Sequence, residues 1–270
     1  MTPVRKSSGV PAITARKGNG DPLVMVTAYD TPTARAVVAA GVDIILVGDS
    51  LGMVVLGYDD TLHVTVQDMA RHTAAVARAR PPQLIVADMP WTSYHTGPAD
   101  AVRNAASLVR AGAGAVKLEG GTKRLDVVRA ILDAEIPVMG HIGLTPQSLH
   151  AMGGYRVQGR QPGTAKLLVE DAIALCDAGC FALVLEGITA DVAADITRSV
   201  PVPTLGIGAG PTCDGQVLVF HDIVGLTAPP LPRFARRYAD LHAIATDAVT
   251  QWAADVRQGR FPDASETYTT

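Results

Sequence analysis

The stretch 42-VDIILVGDSLGMV-54 decides the fold of this chain. Its apolar run, residues 44–47, is too short for an ordinary helix and rich in β-branched side chains, as is typical of a strand buried on both faces of a parallel sheet. Gly48, Asp49 and Ser50 follow at once, so a carboxylate and a hydroxyl lie where the strand gives way to a loop. Because an aspartate in this position is often only a helix N-cap, one such strand end is weak support for a functional site.

The same arrangement recurs along the chain, where strand-like runs alternate with helix-like runs in the rhythm of βα units. The predicted strands are 23–28, 44–47, 84–87, 115–118, 137–140, 181–185, 203–207 and 215–220. A TIM barrel typically needs about 250 residues, and this chain has 270. The sequence therefore predicts an α/β fold, a single (β/α)8 TIM-barrel domain over residues 1–270. A short N-terminal arm, a C-terminal helix over 233–257 and a polar tail complete it.

An open, doubly wound parallel sheet is the competing fold. It would require a phosphate-binding G-x-G-x-x-G motif after the first strand, and the sequence has none there. Gly206, Gly208 and Gly210 instead follow the seventh strand, where barrels often bind anions. The run 208–210 either cradles an anion through its backbone N–H groups or forms a tight turn.

Composition limits the class of protein. Hydrophobic residues make up 48% and charged residues 18%, which supplies one large core and gives little sign of disorder. A net charge of −3 argues against a nucleic-acid or anionic membrane partner. No apolar run approaches the ~18 residues of a membrane span, and no signal-peptide core is present, so we expect a soluble, cytoplasmic protein. Cys176, Cys180 and Cys213 lack metal-site spacing and are expected to be reduced and mostly buried.

Charged and polar residues stand at the ends of most predicted strands. In a TIM barrel these ends converge on one mouth, where catalytic groups lie. Crowded carboxylates repel one another, so some must be protonated or matched by a cation. Three of the acids are hard oxygen ligands without a neighbouring cysteine, which suits Mg²⁺. The residues at the predicted mouth are Asp49, Ser50, Asp88, Lys117, Glu119, His141 and Glu186.

The proposed metal ligands Asp49, Asp88 and Glu119 each have a structural alternative. Either aspartate alone is more often a helix cap, and the glutamate alone could be a solvated loop acid. Lys117 lies two residues before Glu119, so both project from the same face of their strand. A lysine inside a barrel requires an anionic partner, which is either a structural ion pair or a substrate carboxylate.

The remaining members of the mouth are also open to two interpretations. His141 is either a satisfied polar group or a binding residue. Glu186 lies across the barrel from the second strand, where it is either a further metal ligand or a separate base. Among the other histidines, only His63 and His95 fall on predicted mouth loops.

Long motifs give the chain a resemblance to a known family over about residues 13–238. They are TAYD (27–30), VGDSLGMVVLGYDDTL (47–62), ADMPWTSY (87–94), VKLEGG (116–121), GHIGLTPQS (140–148), GGYRVQGR (153–160), VLEG (184–187) and GIGAGPTCDGQVLVFHD (206–222). Together they resemble the 3-methyl-2-oxobutanoate hydroxymethyltransferase (ketopantoate hydroxymethyltransferase) family of pantothenate biosynthesis. His63, 91–92 and 187–192 depart from the family pattern, but none of these positions is a proposed ligand.

The resemblance implies a Mg²⁺-dependent enzyme. It would transfer a hydroxymethyl group from 5,10-methylenetetrahydrofolate to 3-methyl-2-oxobutanoate through a Mg-stabilised enolate, giving 2-dehydropantoate. By motif, Glu186 would be the catalytic acid/base. The metal ligands would be Asp49, Asp88 and Glu119, and the substrate contacts Asp49, Ser50, Asp88, Lys117 and His141. The resemblance also implies a homo-oligomer, a decamer, with the C-terminal helix in subunit contacts.

Two other functions remain open at this point. A Mg²⁺-dependent lyase or mutase of the phosphoenolpyruvate mutase and isocitrate lyase type would share the barrel and its acidic strand ends. It would be expected to carry a reactive cysteine or phosphate-binding arginines on a mouth loop, and the three cysteines are not placed for this role. A non-catalytic metal- and anion-binding barrel would not need both Lys117 and Glu186 in its lumen.

Overall fold

A computed structural model describes residues 9–269 of the chain. Eight parallel strands close into a barrel in sequence order, each paired with the next and the last with the first. The predicted (β/α)8 TIM barrel is therefore confirmed. The predicted N-terminal arm lies, over residues 1–8, outside the described part of the chain. The strands are β1 (Leu23–Thr27), β2 (Ile44–Val47), β3 (Leu84–Asp88), β4 (Ala115–Glu119), β5 (Val138–Gly143), β6 (Ala182–Glu186), β7 (Thr204–Ile207) and β8 (Gly215–Leu218).

Helices connect successive strands, and several begin at caps that the sequence supplies. Asp30, for example, accepts a hydrogen bond from the Thr33 N–H at 2.7 Å and starts the helix after β1. The helices are α1 (Val10–Thr14), α2 (Thr31–Ala39), α3 (Leu51–Val54), α4 (Val66–Ala77), α5 (Pro98–Arg110), α6 (Leu125–Asp133), α7 (Leu149–Met152), α8 (Pro162–Ala178), α9 (Ala190–Ser199), α10 (Phe220–Val224) and α11 (Leu241–Arg257). Short 3-10 turns occur at Thr122–Arg124, Pro146–Ser148 and Ala264–Glu266.

Alternation along the strands places an apolar core beneath a charged layer. In β3, residues 84, 86 and 88 share one face, because successive side chains of a strand point to opposite sides. Leu84 and Val86 belong to one buried apolar cluster, and Asp88 follows them on the same face at the carboxyl end. Ile13 of α1 belongs to the same cluster, so α1 contributes to the packing inside the barrel. The acids therefore lie on top of a filled apolar interior.

Some element boundaries differ from those predicted. Strand β5 extends to Gly143 instead of ending at residue 140, because residues 141–143 continue to pair with β6. His141 therefore lies inside a strand. Strand β8 ends at Leu218, and α10 follows. The helix predicted to begin at residue 233 begins at 241, where Asp240 accepts a hydrogen bond from the Ala243 N–H at 3.1 Å.

The chain divides into two compact units, one ending at Phe220 and the other beginning at His221. The first contains the barrel. The second contains most of α10 and all of α11. No residue of α11 is buried. The extent of the single predicted domain, residues 1–270, stays a prediction. Among the described residues, no helix is both long and apolar enough to span a membrane.

Candidate active site

Asp88, Lys117 and Asp49 form a buried charged group at the mouth. Parallel pairing places Asp88 of β3 directly beside Lys117 of β4, and the Asp88 Oδ1 and Lys117 Nζ atoms are 3.0 Å apart. The backbone N–H of Asp49 donates a hydrogen bond to Asp88 Oδ2 at 3.0 Å. A Cβ atom at Gly48 would approach the Ser50 Oγ atom to 2.8 Å, so the glycine lets the chain turn tightly here. Each of the three charged side chains is no more than 5% exposed.

The electrostatics of this group favour a bound cation. Burial, together with the negative charges of Asp88 and Glu119, raises the pKa of Asp49 well above its usual range. Burial by itself would lower the pKa of Lys117, but the neighbouring acids, Asp88 foremost, outweigh it and raise the pKa. The single ammonium of Lys117 therefore does not neutralise the surrounding carboxylates, and the excess negative charge favours binding of a cation.

His141 links the buried group to Glu186. Its Nδ1 atom lies 3.2 Å from Lys117 Nζ and 3.5 Å from Glu119 Oε1. Its Nε2 atom is 3.3 Å from Glu186 Oε2, without hydrogen-bond geometry. Burial and Lys117 oppose a charge on the imidazole, yet the two glutamates prevail and raise its pKa to about 9. Lys117 can donate only to an unprotonated Nδ1, so the ring lies between two competing protonation states.

Glu186 is the most accessible of the four predicted acids. It ends β6, and its side chain is 17% exposed, compared with 3–4% for the side chains of Asp88 and Glu119. Since Glu186 is on the lumen face of its strand and partly open to solvent, it can contact a bound molecule and exchange protons with water. This position suits a general acid or base.

Ser50 lies beside the acids at the start of α3. Its Oγ atom is 2.8 Å from the hydroxyl of the buried Tyr29. Burial raises the pKa of this tyrosine, which keeps it a neutral hydrogen-bonding group. The Tyr29 carbonyl in turn accepts a hydrogen bond from His72 Nδ1 at 2.6 Å. Ser50 is therefore held in place and directed toward the mouth from the β2 side.

The structure brings two further residues into the site, Tyr94 and Gln147. Both are buried, and the Tyr94 hydroxyl donates a hydrogen bond to Gln147 Oε1. Gln147 donates to the carboxylates of Asp49 and Glu119, and Tyr94 accepts from the Glu119 backbone N–H. They follow β3 and β5, in the motifs ADMPWTSY and GHIGLTPQS. Strand-end charge did not identify them because both are neutral.

The two histidines predicted on mouth loops do not join the cluster of acids. The exposed His63 ring stacks on Tyr58 at 5.0 Å, with its Nδ1 atom 3.3 Å from Asp60 Oδ1. His95 lies against the Tyr94 ring at 4.3 Å, and burial, aided by Arg124, lowers its pKa.

The glycine run 208–210 packs tightly beside a helix. A Cβ atom on Gly210 would approach that of Ala190 to 2.7 Å, and the φ angle of Gly210 is +81°. Close packing accounts for this glycine, and the alternative role in anion binding stays a prediction.

The donor chemistry of the acids fits a hard cation. Asp88 Oδ1 is buried and, although paired with Lys117, accepts no hydrogen bond. All three proposed ligands supply carboxylate oxygens, the atoms that Mg²⁺ prefers. Across residues 9–269, no three His, Cys, Asp or Glu side chains already surround one point as metal ligands. The assignment of Mg²⁺ to Asp49, Asp88 and Glu119 therefore stays a prediction.

Three relatives illustrate the similarity of the chain to named proteins. A Bradyrhizobium diazoefficiens protein named 3-methyl-2-oxobutanoate hydroxymethyltransferase 2 is 54% identical over 96% of this chain and 88% of its own. A 3-methyl-2-oxobutanoate hydroxymethyltransferase from Pyrobaculum calidifontis is 58% identical over 89% of this chain and 90% of its own. One of the same name from Pelobacter propionicus is 51% identical over 99% of this chain and 100% of its own.

Solved structures with the same barrel are more distant in sequence. One is 2,3-dimethylmalate lyase, a member of the PEP mutase/isocitrate lyase superfamily, with a TM-score of 0.61 and 19% identity over 98% of this chain and 93% of its own. Another is phosphonopyruvate hydrolase in complex with oxalate and Mg²⁺, with a TM-score of 0.61 and 16% identity over 95% of this chain and 92% of its own. These likenesses show the fold.

A family model extends across nearly the whole chain. The model, described as ketopantoate hydroxymethyltransferase, matches residues 8–264, which include every residue of the proposed site. The named relatives cover the same length at identities above half. The chain therefore belongs to the ketopantoate hydroxymethyltransferase family.

Proposed function

We propose that the protein transfers a hydroxymethyl group from 5,10-methylenetetrahydrofolate to 3-methyl-2-oxobutanoate, giving 2-dehydropantoate. Family membership supports this reaction class. The structural observation that carries the proposal is the continuous chain Asp88, Lys117, His141 and Glu186, with adjacent groups 3.0, 3.2 and 3.3 Å apart. It connects a buried cationic centre to a partly exposed carboxylate, which are the two features that deprotonation of a 2-oxo acid requires.

The 2-oxo acid binds, in this proposal, at the charged layer above the apolar interior. Lys117 is the point charge that attracts its carboxylate, since the ammonium already lies inside the lumen. Ser50 and His141 offer hydrogen bonds from opposite sides of the mouth. Asp49 and Asp88, the remaining substrate contacts in the proposal, act beside the metal.

Asp49, Asp88 and Glu119 would hold Mg²⁺. When bound, Mg²⁺ supplies a positive charge that stabilises the enolate form of the 2-oxo acid. The three carboxylates are 3–4% exposed, so this charge would act away from bulk water, where electrostatic interactions are strong. Their crowding also gives the metal-free site the excess negative charge that a divalent cation balances.

Glu186 takes the C3 proton onto one of its carboxylate oxygens. His141 Nε2, 3.3 Å from Glu186 Oε2, forms an ion pair with that carboxylate when the ring is protonated and so helps to hold its charge. The C3 carbon then forms a carbon–carbon bond to the methylene carbon of the folate as one of the two C–N bonds at that carbon breaks. The second C–N bond is replaced by a C–O bond to water, and the two folate nitrogens take up one proton from Glu186 and one from that water. Water supplies the hydroxyl oxygen of the product, and the folate leaves as tetrahydrofolate.

The first test is proton exchange at C3. In D₂O, NMR should show loss of the C3 proton signal of 3-methyl-2-oxobutanoate when enzyme and Mg²⁺ are both present. Glu186→Gln should slow exchange by about a hundredfold or more while substrate still binds. Glu119→Ala should abolish the dependence on Mg²⁺.

Absence of exchange by the wild-type protein, with or without Mg²⁺ and folate, would contradict the proposed chemistry. It would favour the lyase or mutase alternative, whose reaction does not begin by removing this proton. A wild-type exchange rate in Glu186→Gln would remove that residue from the mechanism.

We also propose that the protein is a cytoplasmic homo-oligomer, a decamer, whose C-terminal helix takes part in subunit contacts. Large apolar side chains on α11 support this arrangement. Ile244, Val249 and Trp252 are 61%, 62% and 53% exposed, and water-facing side chains of this size on one helix are typical of an interface.

A further inference from the structure

Gln147 lies between two of the proposed metal ligands and forms hydrogen bonds through its backbone N–H and both ends of its side-chain amide. It is 6% exposed, in the turn that follows β5. Its backbone N–H donates to Glu119 Oε2 at 3.0 Å. Its Nε2 atom donates to Asp49 Oδ2 at 2.8 Å and to the Met89 carbonyl at 2.9 Å. One residue therefore joins the acid that follows β2 to the acid that ends β4, and these strands are not neighbours in the barrel.

Tyr94 fixes which way the Gln147 amide points. The tyrosine hydroxyl has one proton and accepts a hydrogen bond from the Glu119 N–H at 3.2 Å, so it donates its proton to Gln147 Oε1, 2.6 Å away. A reversed amide would direct its oxygen at the Asp49 carboxylate and the Met89 carbonyl, where no donor is present. The NH₂ group is therefore committed to Asp49.

The result is a pattern common to all three acids. One oxygen of each accepts a hydrogen bond from a neutral N–H group: Asp49 Oδ2 from Gln147, Glu119 Oε2 from Gln147, and Asp88 Oδ2 from the Asp49 backbone. Within the described part of the chain, no hydrogen bond occupies the second oxygen of any of them. The second oxygen of Asp88 is ion-paired with Lys117 at 3.0 Å, and that of Glu119 lies 3.5 Å from His141 Nδ1. Each carboxylate is thus fixed at one oxygen by a neutral donor, and no hydrogen bond among the described residues fixes its other oxygen.

We propose that Gln147, with its amide fixed by Tyr94, is a positioning residue that orients Asp49 and Glu119 to bind the metal through their remaining oxygens. The inference rests on the proposed function, since it takes these two acids as metal ligands. It adds two neutral residues to the machinery of the site, neither of which touches the reacting atoms.

A neutral amide suits this task better than the alternatives. A lysine or arginine would also hold the acids, but its charge would compete with the metal for them. A leucine has a similar size, but it would leave both carboxylates free to rotate and the Met89 carbonyl without its donor. Oriented donors around ligands typically alter metal affinity by about 10–100-fold.

The test measures metal binding directly, without substrate or turnover. Mn²⁺, a paramagnetic substitute for Mg²⁺, is titrated into the metal-free, full-length protein, and free and bound ions are distinguished by EPR. Gln147→Leu should weaken Mn²⁺ binding by about tenfold or more and change the EPR line shape of the remaining bound ion. Tyr94→Phe, which keeps the ring but removes the hydroxyl's hydrogen bonds to the Gln147 amide and the Glu119 N–H, should weaken binding by a smaller factor, about threefold.

Gln83→Leu is the matched control. Gln83 precedes β3, at the end of the strand opposite Asp88, and its Oε1 atom is buried with no hydrogen-bond partner among the described residues. The same chemical change at this position should leave Mn²⁺ affinity and line shape as in the wild type. Thermal unfolding of each metal-free variant is recorded in parallel.

The outcomes separate the possible failures. Wild-type Mn²⁺ affinity and line shape in folded Gln147→Leu would overturn the inference, and so would a lowered melting temperature with unchanged affinity, which is the result of a purely structural role. If Gln147→Leu does not fold, Tyr94→Phe is used instead. Unchanged Mn²⁺ affinity in that variant, with or without a lowered melting temperature, would then overturn the inference. Failure of the wild-type protein to bind Mn²⁺ or Mg²⁺ would instead refute the proposed metal site itself.

Discussion

The neighbours of His141 have opposite effects on its protonation state. Lys117 at 3.2 Å favours the neutral imidazole, whereas Glu119 and Glu186 favour the charged one and raise its pKa to about 9. A metal on Glu119 would take that carboxylate's charge away from the ring. The protonation state of His141 is thus a property of the whole site and would change when the site is filled.

The raised pKa predicts how the stability of the metal-free protein depends on pH. Folding raises the pKa from 6.5 to about 9, so the stabilisation is fully present below pH 6.5 and is lost as pH rises through about 9. The free energy of unfolding should fall over this window by at most ~3 kcal/mol more in the wild type than in His141→Asn. Urea denaturation at a series of pH values measures how the free energy of unfolding changes with pH in each protein. Parallel slopes would contradict the assignment.

Charged residues of the site could be predicted from sequence, and the neutral ones could not. Asp49 and Asp88 follow short apolar runs and Lys117 lies within one, so strand geometry alone places them together. Gln147 is 98 residues from Asp49 along the chain, and no local pattern indicates that they meet. Its role depends on loop geometry, which strand and helix periodicity does not specify.

At the scale of the element, the last residue of β5 controls the position of Glu186 at the end of β6. Gly143 pairs with Glu186 in the sheet and has a φ angle of +101°. A Cβ atom there would lie 2.2 Å from the Glu186 carbonyl oxygen. Only glycine fits, because both the backbone conformation and the space exclude a side chain.

Gly143→Ala should therefore destabilise the protein and displace Glu186. The positive φ angle and the overlap together should cost more than about 2 kcal/mol. Gly163, near the start of α8, has no atom within 4 Å of its added Cβ, so Gly163→Ala should be neutral or stabilise by ~0.5 kcal/mol. Thermal melts and the C3 exchange rate measure both variants. Equal melting temperatures would contradict the packing argument.

Elements were predicted best where apolar periodicity alone defines them. Strand β2 coincides with the predicted residues 44–47. Strand β5 was predicted too short because its final residues, His141 to Gly143, contain little apolar character and are held by pairing with β6. Helix α11 was predicted too long because amphipathic residues precede its true N-cap, Asp240. Tertiary pairing and capping set these ends.

On the scale of the whole molecule, the exposed apolar side chains of α11 are the proposed contact between subunits. Replacing both Ile244 and Trp252 by glutamate should break up the proposed assembly, because two charges would enter an apolar interface. Analytical ultracentrifugation should then show a smaller particle than the wild type, with unchanged helix content by circular dichroism. A wild-type chain that sediments as a monomer would contradict the proposed oligomer.

The apolar packing beneath the acids, to which Ile13 contributes, has a kinetic consequence. If the charged layer is the floor of the site, the small 2-oxo acid must occupy it before the bulky folate covers the mouth. The reaction would then follow a compulsory order, with the oxo acid bound first and the lengthened oxo acid released last. That last product should inhibit competitively against the oxo acid and non-competitively against the folate.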